Sequence, residues 1–165
     1  MKTPILVAAY LVAIVLANLS VAAWGPGVAI VNAFLFIAMD LTSRDALHSA
    51  WQGRGLAWRM AALIAAGSLL SYALNRSAGP IALASFVAFA VSAALDMLVY
   101  HLLRERAYLL RVNGSNVVSA AADSLIFPAL AFGLPLLWPI VLGQFVAKVA
   151  GGALWAWVLA RRVAR

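Results

Sequence analysis

Hydrophobic positions in this chain run in long blocks, without the strict alternation of a half-buried strand or the one-sided stripe of a surface helix. Six blocks, at residues 3–23, 26–41, 59–74, 80–103, 113–133 and 135–159, are separated by short polar or turn-forming segments. A helix rises about 1.5 Å per residue, so roughly 20 apolar residues cover about 30 Å of hydrocarbon. The pattern therefore predicts an all-α, polytopic membrane protein of six transmembrane helices. Turn residues mark several boundaries, as in Trp24-Gly25-Pro26-Gly27, Gly79-Pro80 and Gly133-Leu134-Pro135, where glycine ends one helix and proline suits the first turn of the next. The second block is short, carries Asn32 and ends at Asp40.

Composition sharpens this picture. The 165 residues are 66% apolar and 10% charged, against about half and a quarter in soluble domains, and mean hydropathy is +1.01. Six spans of about 20 residues leave roughly 45 positions for connections and tails, so one membrane domain over residues 1–165 is expected, with no folded extramembrane domain.

Twelve Lys and Arg against five acids give a net charge of +7. Their positions matter more than their number. Lys2, then Arg44, Arg54 and Arg59, then Arg104, Arg106 and Arg111, then Arg161, Arg162 and Arg165 fall on alternate connections or tails, with Arg76 alone on the opposite side. By the positive-inside rule both termini are cytoplasmic in a multi-pass protein of the cytoplasmic (inner) membrane, and no direct nucleic-acid contact is implied. Trp24 and Trp138 then fall at the outer interface, and Trp51, Trp58, Trp155 and Trp157 toward the inner one. The first block resembles a signal peptide with small residues at Val21-Ala22-Ala23, but it is long for that role and its removal would leave five spans.

Several chemistries drop out. The absence of cysteine excludes disulfides, zinc–thiolate sites and thiol catalysis. His48 and His101 have no second ligand at usable spacing, so no metal and no cofactor is expected. No H-E-x-x-H, G-x-S-x-G, phosphate-binding glycine loop or Walker motif occurs, so the chain is not read as an enzyme and cannot hydrolyse ATP by itself. A pathway for a small solute remains.

The informative residues are ionisable groups inside the apolar blocks. Counted from the block ends, Asp123 and Lys148 lie near the midplane on consecutive helices. A charge there costs roughly 2.5 to 3.5 kcal/mol even on the lenient insertion scale, so the two are expected to pair or to face a wet cavity. Such a pair also serves to fix helix register alone. Asn116, Ser119 and Asp123 recur at i, i+3 and i+7, Gln144 and Lys148 at i and i+4, and Ser85, Ser92 and Asp96 share a face of the fourth span. Polar stripes on three helices predict a polar cavity between them. Asn18, Asn32 and Ser68 are read as interhelical hydrogen bonders without an assigned role. Asp40 and Arg44, four apart, form either an interfacial pair or a gate at the cytoplasmic mouth.

These residues also resemble a known pattern over most of the chain. Ala17-Asn18, Ala38-Met39-Asp40-Leu41-Thr42-Ser43-Arg44, Leu95-Asp96, the run from Arg111 through Ser119 into Asp123-Ser124-Leu125-Ile126-Phe127, and Gln144-Phe145-Val146-Ala147-Lys148-Val149 are similar in order and spacing to the vitamin-uptake-type membrane proteins, which include the queuosine precursor transporters. The chain departs from them at Ser43-Arg44-Asp45-Ala46-Leu47, where an acid and a Tyr-Gly pair are common, and in lacking a Thr-Pro late in the last helix. The resemblance implies import of a modified purine base, 7-cyano-7-deazaguanine. With that cargo, Asp96, Asn116, Ser119, Asp123, Gln144, Lys148 and Phe127 are expected to form the substrate site. In that site Asp123 or Asp96 would accept two adjacent N–H groups, Lys148 would donate to the ring carbonyl or hold the carboxylate ionised, and Phe127 would stack. Two alternatives stand beside it: a substrate-capture subunit that needs an energy-coupling module, and a structural membrane subunit without ligand. A homo-oligomer is compatible with each.

Overall fold

Backbone amides in hydrocarbon find no water, so an apolar run there satisfies them by coiling into a helix. The computed structural model describes residues 3–40, 43, 47, 51 and 55–163. The described chain is all-helical, as the pattern predicts: α1 (Thr3–Trp24), α2 (Pro26–Asp40), α3 (Leu56–Leu74), α4 (Gly79–Leu102), α5 (Tyr108–Phe132) and α6 (Trp138–Val163). Within α1, α3, α4 and α5 lie four spans long and apolar enough to cross a membrane, while α2 is a shorter apolar helix. The largest boundary difference is at α5, which begins at Tyr108 and not at residue 113, because helical hydrogen bonding continues through the basic segment before the apolar run starts.

Local chemistry sets the turns. Gly25 and Gly133 adopt φ of +75° and +79°, a region open to glycine and strained for other residues, and so end α1 and α5 sharply. Pro26 and Pro80 start their helices, where a missing N–H costs nothing. The Asn75 side chain accepts from the Ser77 amide at 3.0 Å, closing the turn between α3 and α4. The Leu134-Pro135 peptide is cis.

Polarity is inverted relative to a soluble bundle. Leu69, Leu83, Leu98, Leu130 and Val146 point outward, whereas Asn18, Asn32, Ser85, Ser92, Asp96, Asp123, Gln144 and Lys148 are buried. Only a hydrocarbon solvent favours that arrangement. Trp24, Trp58 and Trp138 are exposed at helix ends, as expected of interfacial aromatics, and the Arg59 guanidinium sits 5.6 Å from the half-buried Trp51 ring.

Small residues bring the helices close. On α6, Gly143, Ala147 and Gly151 recur every four residues, and the two glycines face α2: a Cβ on Gly151 would meet the Phe34 carbonyl oxygen and the Ala38 Cβ, each at 2.6 Å. The contacted part of α2 is irregular, with a 3₁₀ turn at Pro26–Val28 and a π segment at Ala33–Ile37. Toward the chain termini the interior holds an apolar cluster of Leu6, Tyr10, Ile14, Leu47, Met60, Ile64 and Phe89, alongside buried polar groups that include Asp40, Ser92 and Asp96.

Candidate functional site

The connections at Gly25, at Asn75–Ala78 and at Gly133–Leu137 lie at one end of the bundle, here called the turn end. Counting from it aligns the polar residues. Asn18 precedes the end of α1 at Trp24 by six residues, Asn32 follows Pro26 by six, Ser85 follows Gly79 by six and Gln144 follows Trp138 by six. At about 1.5 Å per residue, four side chains from four helices share a level about 9 Å below the turn end. Asp123, nine residues before the end of α5 at Phe132, lies a few ångströms deeper.

These residues line a small cavity, together with Ala17, Val21, Ala29, Ile37, Phe89 and Phe127. Its lining has the usual character of small-molecule sites, apolar walls with a few convergent polar groups. The apolar cluster that includes Tyr10, Ile14 and Phe89 lies on the side of the cavity toward the termini.

Two polar networks hold the walls. In the first, Ser85 Oγ donates to Asn18 Oδ1, Asn18 Nδ2 donates to Ser71 Oγ at 3.0 Å, and Ser71 Oγ donates to the Gly67 carbonyl at 2.8 Å, so that α1, α3 and α4 are tied at one point. Asn32 Nδ2 donates to Ser20 Oγ at 2.7 Å and to the Ala17 carbonyl at 3.1 Å, fastening α2 to α1. Asn18→Leu is expected to cost about 1–3 kcal/mol, because it deprives the buried Ser85 hydroxyl of its acceptor and the buried Ser71 oxygen of its donor. Thermal unfolding of the detergent-solubilised protein reads that loss, and an unchanged midpoint would show that the node carries no stability.

The second network centres on Lys148, which is fully buried. Its Nζ lies 2.6 Å from Asp123 Oδ2, 3.0 Å from Ser124 Oγ and 3.1 Å from Gln144 Oε1. The expected midplane pair is therefore present. An ammonium has three donors and no acceptor, so this set uses all of them. Asp123 Oδ1 and Gln144 Nε2, both buried, have no hydrogen-bond partner among the described residues. Pro128, inside α5 one turn beyond Ser124, removes the amide that would have bonded the Ser124 carbonyl and weakens the helix beside the ion pair.

Of the residues expected to form the site, Asp123, Gln144 and Phe127 line the cavity, and Lys148 stands behind Asp123 and Gln144. Asp96, Asn116 and Ser119 are not in the lining. Asp96 is buried six residues from the end of α4 near the termini, and Ser119 Oγ donates to the Asn116 carbonyl of its own helix at 3.2 Å. Asp40 is buried, whereas Arg44 lies outside the described residues, as does any pairing between the two. The reading from sequence passed over Asn18, Asn32 and Phe89 as lining groups, and put Ser85 on a stripe facing the expected cavity without naming it to the site. The signal that joins Asn18 and Asn32 to Ser85 is their common count of six from a helix end.

The comparisons with known proteins bear on what such a cavity is for. Residues 4–161 match the family model described as "Putative vitamin uptake transporter". The chain belongs to this family. No curated protein and no solved structure matches it. Membership in the vitamin uptake transporter family, together with four membrane-length apolar helices, makes the chain a membrane protein of a transport family, not of an enzyme family.

Proposed function

We propose that this chain imports a small planar, vitamin-like molecule across the cytoplasmic membrane, with six crossings and both termini cytoplasmic, and that the cargo is the queuosine precursor base 7-cyano-7-deazaguanine. The observation that carries the reading is the Asp123 carboxylate. One oxygen is neutralised by Lys148 while the other is buried without a hydrogen-bond partner among the described residues, on a side chain that lines the cavity beside Phe89 and Phe127. A fixed acceptor between aromatic walls suits an uncharged heterocycle with N–H groups on its edge. In the proposed orientation the turn end faces outward, so the cavity lies in the outer half and the cluster around Tyr10 and Ile14 seals the inner half. Cargo enters from outside and leaves inward when that cluster parts.

Queuosine content of tRNA tests this in a bacterial strain unable to make or import the base, fed the base and expressing the chain. The wild type is expected to restore the modification. Asp123→Asn alone would strand the Lys148 ammonium, so the informative variant is Asp123→Asn/Lys148→Met, which removes both charges. At matched membrane levels it is expected to abolish restoration. Failure of the wild type while present in the membrane, or restoration by the double variant, would overturn the reading.

A further inference from the structure

Lys148 fixes more than the charge of Asp123. Because an ammonium only donates, the Gln144 atom 3.1 Å from it must be the carbonyl oxygen. Turning that amide over would set N–H groups against N–H groups, so the network assigns its orientation. The Gln144 NH2 is therefore directed away from Lys148, and it is the atom without a partner in the cavity wall. With 2% exposure for Gln144 and 5% for Asp123, neither open group is satisfied by bulk water. Leaving both unpaired is expensive, so each calls for a partner, an ordered water in the empty site and a ligand in the loaded one.

The wall thus offers one acceptor, Asp123 Oδ1, and one donor, Gln144 Nε2, both anchored on a single ammonium. Lys148 has no donor left for cargo. Asp123 Oδ2 is already committed to Lys148, so the carboxylate is not arranged to take two adjacent N–H groups by itself, the role the sequence reading offered to Asp123 or Asp96.

We infer that Gln144 is a specificity-determining residue which, with Asp123, reads an uncharged planar heterocycle through one N–H and one adjacent acceptor, and that Lys148 is the positioning residue setting this polarity. In a lactam edge the ring N–H donates to Asp123 Oδ1 and the neighbouring C=O accepts from Gln144 Nε2. An exocyclic amine on the far side of the N–H is not required. The inference rests on the proposed role of the cavity as the cargo site, but it concerns a different part of the cargo.

Purified protein in nanodiscs separates the two by calorimetric binding of three probes. These are the cyano-deazaguanine base, hypoxanthine, which keeps the N–H/C=O edge and lacks the exocyclic amine, and hypoxanthine methylated on that ring nitrogen. The wild type is expected to bind the first two within about tenfold of each other and the methylated probe at least about tenfold more weakly, the scale of one hydrogen bond to a buried group. Gln144→Glu replaces the open donor by an acceptor and is expected to weaken the first two probes by tenfold or more, on the same scale. The wild-type comparison stands even if that variant does not fold. Binding of the cyano-deazaguanine base with loss of hypoxanthine, or equal binding of the methylated probe, would overturn the inference and leave the proposed cargo in place. Binding of hypoxanthine without the cyano-deazaguanine base would overturn the proposed cargo and support the inference. Absence of binding by all three would overturn both.

Discussion

Lys148→Met is expected to be among the most damaging single substitutions in this chain. It leaves the Asp123 carboxylate, 5% exposed, without its cation 2.6 Å away, and deprives Ser124 Oγ and Gln144 Oε1 of their donor. Breaking a buried pair by removing one partner costs about 3–5 kcal/mol, whereas removing both partners is often nearly neutral. Most of the folded, monodisperse protein should therefore disappear from detergent extracts of Lys148→Met membranes. Asp123→Asn/Lys148→Met should return toward the wild-type level while losing cargo. Size-exclusion profiles and unfolding midpoints of the three proteins check this. A stable Lys148→Met would mean that the pair contributes no electrostatic support, and an unstable double variant would make it part of the scaffold and not of the site.

The second large effect is steric. Gly151→Ala places a Cβ 2.6 Å from the Phe34 carbonyl oxygen and 2.6 Å from the Ala38 Cβ. Neither atom can rotate aside, so α6 and α2 must separate. The expected loss is about 1–3 kcal/mol or more, the range for overpacking a close contact, and the cavity, whose wall includes Asn32 and Ile37 of α2, should deform with it. Two other glycines of α6 calibrate the result. A Cβ on Gly143 meets only the Ile30 side chain, at 2.5 Å from Cδ1, which can turn away, and a Cβ on Gly152 meets nothing within 4 Å. Gly143→Ala should be milder, and Gly152→Ala neutral or stabilising by up to about 1 kcal/mol, the helix preference of alanine over glycine. Unfolding midpoints in the order 152, 143, 151 from highest to lowest are expected, and equal midpoints for the 151 and 152 variants would remove close packing as the reason for these glycines.

How much of this was legible in the sequence follows from the range of each interaction. Helix positions come from local patterning and turn chemistry, so the Gly25 and Gly133 stops and the Pro26 and Pro80 starts were readable. The pairing of Asp123 with Lys148 was readable because two opposite charges at equal depth in hydrocarbon have few other solutions. The start of α5 was not, since a basic run says where the apolar core ends and not where helical hydrogen bonding ends. Nor was the full cavity. Asn18, Asn32 and Ser85 belong to three helices whose lateral neighbours are set by tertiary packing, and periodicity within one helix says nothing about which helix faces it. The same limit explains Ser119, whose stripe runs straight to Asp123 but whose hydroxyl turns back to its own helix.

The Lys148–Asp123 pair also has an electrical consequence. The ammonium and the carboxylate cancel, so the unloaded site presents no net charge to the field across the bilayer, and an uncharged base adds none. A potential of 100 mV does about 2.3 kcal/mol of work on each elementary charge that crosses it. It does no work on either form of this site. For the cargo proposed above, voltage alone therefore gives no concentrating power, and accumulation is to be drawn from consumption of the base inside the cell or from a second, charged traveller.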